Sequence, residues 1–165
     1  PAKKAAKAAE DAAESLPCIE RAYVFVEVEA EERRFAVISR NYKQMVITVR
    51  FSNYGRTPAI VNKISMYAPC VITDPDEPDD TPTRVAPETV SIVSGKPFID
   101  DLTITIPEDE WQNVERAKMR LLCLGRIKYE DVLGRGHETG FCWPWVHDTP
   151  TGFLVTDNKK LNYRT

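Results

Sequence analysis

Alternation over residues 45–52 constrains this chain more than any other feature. Met45, Ile47, Val49 and Phe51 are apolar, while Val46, Thr48, Arg50 and Ser52 between them are mostly polar. At the two-residue strand period, this turns one apolar face to a core and the other toward water. Asn53-Tyr54-Gly55-Arg56 and then Thr57-Pro58-Ala59 follow directly. Asn53 can bond its own backbone two residues on, and Gly55 can take positive φ without a Cβ clash. Pro58 lacks an N–H and so suits the first residue of a returning strand or an edge. The spacing predicts a strand up to Ser52, a turn built on Asn53, Gly55 and Pro58, and a return to Tyr67, the central hairpin of a sandwich-like β protein.

The rest of the chain extends that pattern. Ala22, Val24, Val26 and Val28 share one parity, with Tyr23, Phe25, Glu27 and Glu29 on the other, so a first strand turns its valines inward. Phe35 to Ser39 reads as a short partner strand. Ala59 and Val61 differ in parity from Ile64 and Met66, which a bulge near Asn62-Lys63 would reconcile. Between Ala68 and Glu88, five prolines exclude a central strand and the acids Asp74, Asp76, Glu77, Asp79 and Asp80 keep a long loop wet. Thr89 to Val93 and Pro97 to Ile106 read as strands around Gly95. Pro107 to Val114 reads as a helical turn with acids favourably placed in its first turn and Trp111 as a plug on the core. A closing hairpin runs from Lys118 to Glu130 and from His137 to Trp145.

Residues 1–16 read as a helix with a thin alanine seam that includes Ala5, Ala9 and Ala12. Alanine buries little area, so this face wants a neighbour, or a longer helix upstream. The chain begins at Pro1 without an initiator Met, and the lysine-first charge order also favours continuation from an upstream segment. The expected organisation is a helical connector at 1–17 following a missing membrane anchor, an immunoglobulin-like antiparallel β-sandwich of seven to eight strands at 18–147, and an extended C-terminal tail at 148–165. The fold class is mainly β.

A chain of 165 residues suits one domain with extensions and can bury a full core. With a net charge of -3 and no basic face, it carries no electrostatic footprint for nucleic acid. No run of about 18 apolar residues occurs in it. Cys18, Cys70, Cys123 and Cys142 are widely spaced with no C-x-x-C pair, so they leave the compartment open.

Phe51-Ser52-Asn53-Tyr54-Gly55-Arg56-Thr57-Pro58-Ala59 resembles the N-x-G-x-T-P-A turn of a widespread group of uncharacterised bacterial membrane-anchored proteins. Glu20 to Val24 looks like their opening strand. Gly125 to Asp131 with His137 to Trp143 looks like their closing hairpin. The resemblance implies one or two transmembrane helices upstream, a short helical connector, and an immunoglobulin-like sandwich held at the membrane surface. It brings no activity.

The residues that could carry chemistry are few. His137 opens the last strand and could orient the glycine-rich turn beside it, whereas His147 lies by the tail. Cys123 and Cys142 sit on the two arms of the closing hairpin. They are candidates for a cross-strand pair, for a soft-metal site with His137, or for two buried free thiols. The acidic run at 74–80 lacks the ordered spacing of a calcium loop. Phe141, Trp143 and Trp145 form the densest aromatic cluster, with Trp145 the expected exposed anchor. Gly152 to Val155 could add an edge strand or dock on a neighbour.

Without a convergent acid/base set, the expectation is a non-catalytic accessory or interaction module of a membrane-tethered protein, without cofactor or bound metal. It would be a subunit of a larger membrane complex, on the cytoplasmic face if Lys3, Lys4 and Lys7 follow an anchor. Its expected protein contacts are Ala5, Ala9, Ala12, Trp145 and Phe153. The alternative is a sugar- or metal-binding sandwich using Trp145, His137, Cys123 and Cys142.

Overall fold

The computed structural model describes residues 21–30, 36–39, 41–76, 84–85, 90–147, 149 and 151–165. The predicted helix at 1–16, with Ala5, Ala9, Ala12 and also Cys18, lies outside the described residues.

The chain is mainly β, in two antiparallel sheets. The first holds β1 (Val24–Ala30), β2 (Ala36–Ser39), β3 (Tyr42–Asn53) and β8 (Phe98–Pro107). The second holds β4 (Ala59–Tyr67), β5 (Cys70–Val71), β6 (Arg84–Val85), β7 (Val90–Ile92), β9 (Arg120–Glu130), β10 (Gly136–Pro144) and β11 (Tyr163–Arg164). The described residues thus hold more strands than expected. The surplus is mostly two-residue pieces, β5 and β6 among them, which the proline-rich stretch allows only at sheet margins.

Each sheet contributes one face to a shared core. Met45, Ile47, Val49 and Phe51 are at most 1% exposed, as their alternation predicts, and they meet Val61, Ile64, Ile127, Tyr129 and Phe141 of the other sheet. Fully burying a side chain of this size contributes about 1.5–3 kcal/mol relative to leaving it exposed. Val24, Val26 and Val28 point inward as expected, and the β4–β9 register slips between Val61 and Lys63, where the bulge was predicted.

The central hairpin is not formed. β3 pairs with β1, β2 and β8, whereas β4 pairs with β6, β7 and β9, so residues 54–58 carry the chain from one sheet to the other. The reason lies in Asn53, which is 3% exposed. Its Oδ1 accepts from the Gly55 and Tyr23 N–H groups at 2.8 and 2.9 Å. Its Nδ2 donates to the Thr57 and Ile92 carbonyls at 2.7 and 2.9 Å. One amide therefore ties the start of β1, the connection and β7 together. Gly55 serves it by close approach rather than by positive φ: a Cβ there would lie 2.0 Å from the Arg21 carbonyl oxygen. Pro58 stands just before β4, one residue ahead of the strand start expected for it.

The connection at 93–97, where Gly95 has φ 76°, likewise joins β7 of one sheet to β8 of the other. The connections at 54–58, 93–97 and 131–135 share one end of the sandwich with the start of β1; we call it the upper end. At the lower end, α1 (Glu108–Glu115) buries Trp111 and Val114, so the predicted plug is in place. Lys43 lies 3.8 and 3.7 Å from Glu108 and Glu115.

The C-terminal stretch packs onto the sandwich instead of extending from it. Phe153 bridges to Trp145 and is fully buried, β11 pairs with β10, and Leu161 joins Leu122, Leu124 and Cys142 in a second cluster on the outer face of the second sheet. That outer face is apolar enough to need a cover, and the tail supplies it.

Candidate functional site

Arg164 closes a cleft of about 590 Å³ between the outer side of β1 and the β10–β11 margin. Tyr23, Phe25 and Glu27 enter it from the β1 parity that faces away from the core. Phe141 and Trp143 come from β10, and Asn162 and Tyr163 from the tail. The Arg164 guanidinium lies 3.4 Å from the Phe25 ring centroid and 5.1 Å from that of Tyr23, and donates to the Tyr23 hydroxyl at 3.2 Å. Phe25 also meets Tyr54 edge-on at 5.1 Å.

The tail is held there by side-chain bonds. Asn162 Oδ1 accepts from Cys142 N at 2.8 Å, and its Nδ2 donates to the Thr156 carbonyl at 2.7 Å. The Tyr163 hydroxyl donates to Glu138, which also faces Lys128 at 3.4 Å. Gly140 makes room for this wall, since a Cβ would lie 2.3 Å from the Tyr163 ring.

The floor of the cleft is a strand edge. Tyr54 N donates to the Tyr23 carbonyl, so odd-numbered β1 residues bond toward β3 and even-numbered ones face away. Of the latter, Val24 is satisfied across the core: its N–H meets the Tyr129 hydroxyl at 3.4 Å, and its carbonyl accepts from Thr139 Oγ1 at 3.2 Å. Ala30 N–H donates to the Thr151 carbonyl at 2.8 Å. Between them, the outward N–H and C=O groups of Val26 and Val28 have no partner among the described residues. The cleft can therefore offer backbone hydrogen bonds, aromatic faces and one cation.

The residues singled out in the sequence lie elsewhere. Trp145 is half-buried, edge-on to Phe153 at 5.5 Å and 6.1 Å from Trp111, so it is a core component and not an exposed anchor. Phe153 is likewise interior. Cys123 and Cys142 do not pair. Cys123 stands opposite Trp143 and Cys142 opposite Leu124, so successive parity sends Cys123 into the shared core and Cys142 to the outer cluster. This also removes the metal set with His137, and no cluster of three metal-ligating side chains occurs among the described residues. Burial pushes the Cys70 and Cys142 thiols up to about 11 and raises that of Cys123 further.

His137 does orient the turn. Its Nε2 lies 3.4 Å from Asp131 Oδ2 and its Nδ1 3.1 Å from the Thr165 carbonyl. Asp131 Oδ1 accepts from Leu133 N and Arg135 N at 2.8 and 3.0 Å. Burial pushes the Asp131 carboxyl up, but these backbone donors and His137 outweigh it and hold its pKa below the ordinary value. In the acidic run, Asp74 pairs with Arg120 and Asp76 with Lys160, so these two carboxylates are already engaged by cations. Residues 77–80 lie outside the described residues.

Tyr23, Phe25, Asn162, Tyr163 and Arg164 did not stand out in the sequence as site residues. The signal for two of them was present: Tyr23 and Phe25 are large aromatics on the strand parity opposite the core valines.

No protein-family model and no curated protein matches the chain. Among solved structures it is similar to a Northeast Structural Genomics Consortium target, with 13% identity, 84% of this chain and 93% of that chain covered, and a TM-score of 0.41. It is similar to the putative ApaA protein from Bordetella pertussis, with 16% identity, coverage of 86% and 99%, and a TM-score of 0.36. A protein from Archaeoglobus fulgidus matches at 8% identity, coverage of 72% and 94%, and a TM-score of 0.33. Likenesses this distant leave fold and function to the chain's own geometry.

Proposed function

We propose that the chain is a non-catalytic, immunoglobulin-like interaction module of a membrane-tethered bacterial protein, and that it takes an extended segment of a protein partner along β1. The observation that carries this reading is the outward-facing backbone of Val26, at the floor of a cleft walled by Phe25, Trp143 and Arg164, continued along the same strand edge by Val28. A strand added to such an edge gains affinity from main-chain hydrogen bonds and specificity from alternate side chains, which the aromatic walls would receive. The tethered, cytoplasmic-face part of the reading is supported by the resemblance of the Asn53-x-Gly55-x-Thr57-Pro58-Ala59 turn and by Lys3, Lys4 and Lys7.

The test is recovery of the protein from native membranes in mild detergent, comparing the unaltered chain with Val26→Pro. The substitution removes an N–H that points into the cleft and leaves the β1–β3 ladder bonds in place. We expect a companion in fixed proportion with the unaltered chain and its loss with Val26→Pro, while the variant, whose core side chain is smaller, still melts cooperatively. No companion, or one kept in full by the variant, would sink the reading.

A second reading, a sugar-binding sandwich, is favoured by the Phe25 and Trp143 rings in the same cleft. It moves from the Trp145 and His137 neighbourhood to this cleft, and a melting shift with a soluble saccharide would support it.

A further inference from the structure

The upper end of the sandwich carries an unusual pairing of groups. Its three connections expose Tyr54 (65%), Val93 (37%), Val132 (53%) and Leu133 (64%) at their tips. Arg56, Lys96 and Arg135 stand exposed on the same three connections, one on each. None of the three pairs with a carboxylate among the described residues. The one acid on these connections is Asp131, with its side chain 2% exposed and bonded to the backbone and His137. A chain with net charge -3 thus presents, on these three connections, exposed side-chain charge that is positive. Between two of the tips lies a hollow of about 390 Å³, lined by Ser52, Tyr54, Ser94 and Lys96 among others, which can take an anionic headgroup.

We propose that this upper end docks on an anionic lipid bilayer, with Tyr54, Val132 and Leu133 entering the interface and Arg56, Lys96 and Arg135 meeting the headgroups. Apolar tips on separate connections, Tyr54 on one and Val132 with Leu133 on another, suit a fluid interface, which closes around each one, better than a rigid protein face. Cations flanking them match the negative surface potential of such a membrane. The start of β1 lies at this same end, so an upstream anchor would bring it to the membrane. The inference rests on the tethered reading for the nearness of a bilayer, and on the geometry of the connections for the contact itself.

The test is co-sedimentation of the purified chain with phosphatidylcholine vesicles, and with vesicles in which part of that lipid is replaced by phosphatidylglycerol. We expect binding to the anionic vesicles that weakens as salt rises. Each cation near such a surface is worth about fivefold, so the triple variant Arg56→Glu, Lys96→Glu, Arg135→Glu loses at least about a hundredfold. Leu133→Ser weakens binding about tenfold and keeps the salt dependence, because it removes apolar insertion alone. All four positions are exposed, and a melting profile for each variant shows that folding is retained. Equal binding to both vesicle types, or no effect of the triple variant, overturns the proposal. So does equally tight binding of a DNA duplex, which would mark the end as a general polyanion site. The vesicles contain no protein, so loss of the companion in the membrane recovery experiment leaves this result standing, and failure here leaves the strand-addition reading standing.

Discussion

Asn53 makes four hydrogen bonds with one side chain, two as acceptor and two as donor. Asn53→Ala leaves two buried N–H groups and two carbonyls without partners and costs about 3 kcal/mol or more. Asn53→Asp keeps the shape and both acceptor bonds but turns a carboxylate oxygen toward the Thr57 and Ile92 carbonyls. It should cost as much as Asn53→Ala, measured as the urea midpoint; a neutral Asn53→Asp would show that the donor half of the side chain contributes nothing. Asp131 makes a different prediction, about pH. Its folded pKa is depressed, so the stability it contributes is fully present above the unfolded value of about 3.9 and is lost as pH falls through the folded value. Asp131→Asn keeps an acceptor for Leu133 N and Arg135 N without titrating. The difference in urea midpoint between the two proteins should therefore shrink as pH falls below about 4, and a constant difference would count against the carboxylate as its source.

At the scale of elements, the faces of strands were legible and their partners were not. The two-residue period identifies the buried sides of β1 and β3, the bulge after Val61, and the hairpin of β9 and β10, because each is decided by neighbours in sequence. Which sheet a strand joins is decided by distant groups, such as the Ile92 carbonyl for Asn53 and the Tyr129 hydroxyl for Val24. A turn composition suited to a hairpin therefore sits where the chain crosses between sheets. The cleft was legible only in part: the aromatic parity of β1 was visible, but residues 156–165 have no periodicity to reveal that Asn162 and Arg164 fold back. The tail gives the prediction at this scale. Leu161 is fully buried over Leu122, Leu124 and Cys142, so Leu161→Ala costs about 2–4 kcal/mol of the tail's attachment. The loss should be local, read as faster trypsin cleavage at Lys159 and Lys160 with a smaller change in the melting of the sandwich. Unchanged cleavage would mean that the tail is held by its hydrogen bonds alone.

For the whole molecule, the two ends differ in charge as well as in structure. The upper end shows Arg56, Lys96 and Arg135, and the lower end shows the acidic first turn of α1. The bond from Thr139 to the Val24 carbonyl has a further consequence. It spans 115 residues and belongs to the strand that is made first, so on a ribosome working at roughly 5 to 20 residues per second, Val24 waits roughly 6 to 23 seconds for its partner. During that interval the Val24 carbonyl lacks the side-chain partner it has in the folded chain. How well this protein is produced in a cell therefore depends on the pace of its own synthesis and on what shields β1 until the last hairpin arrives.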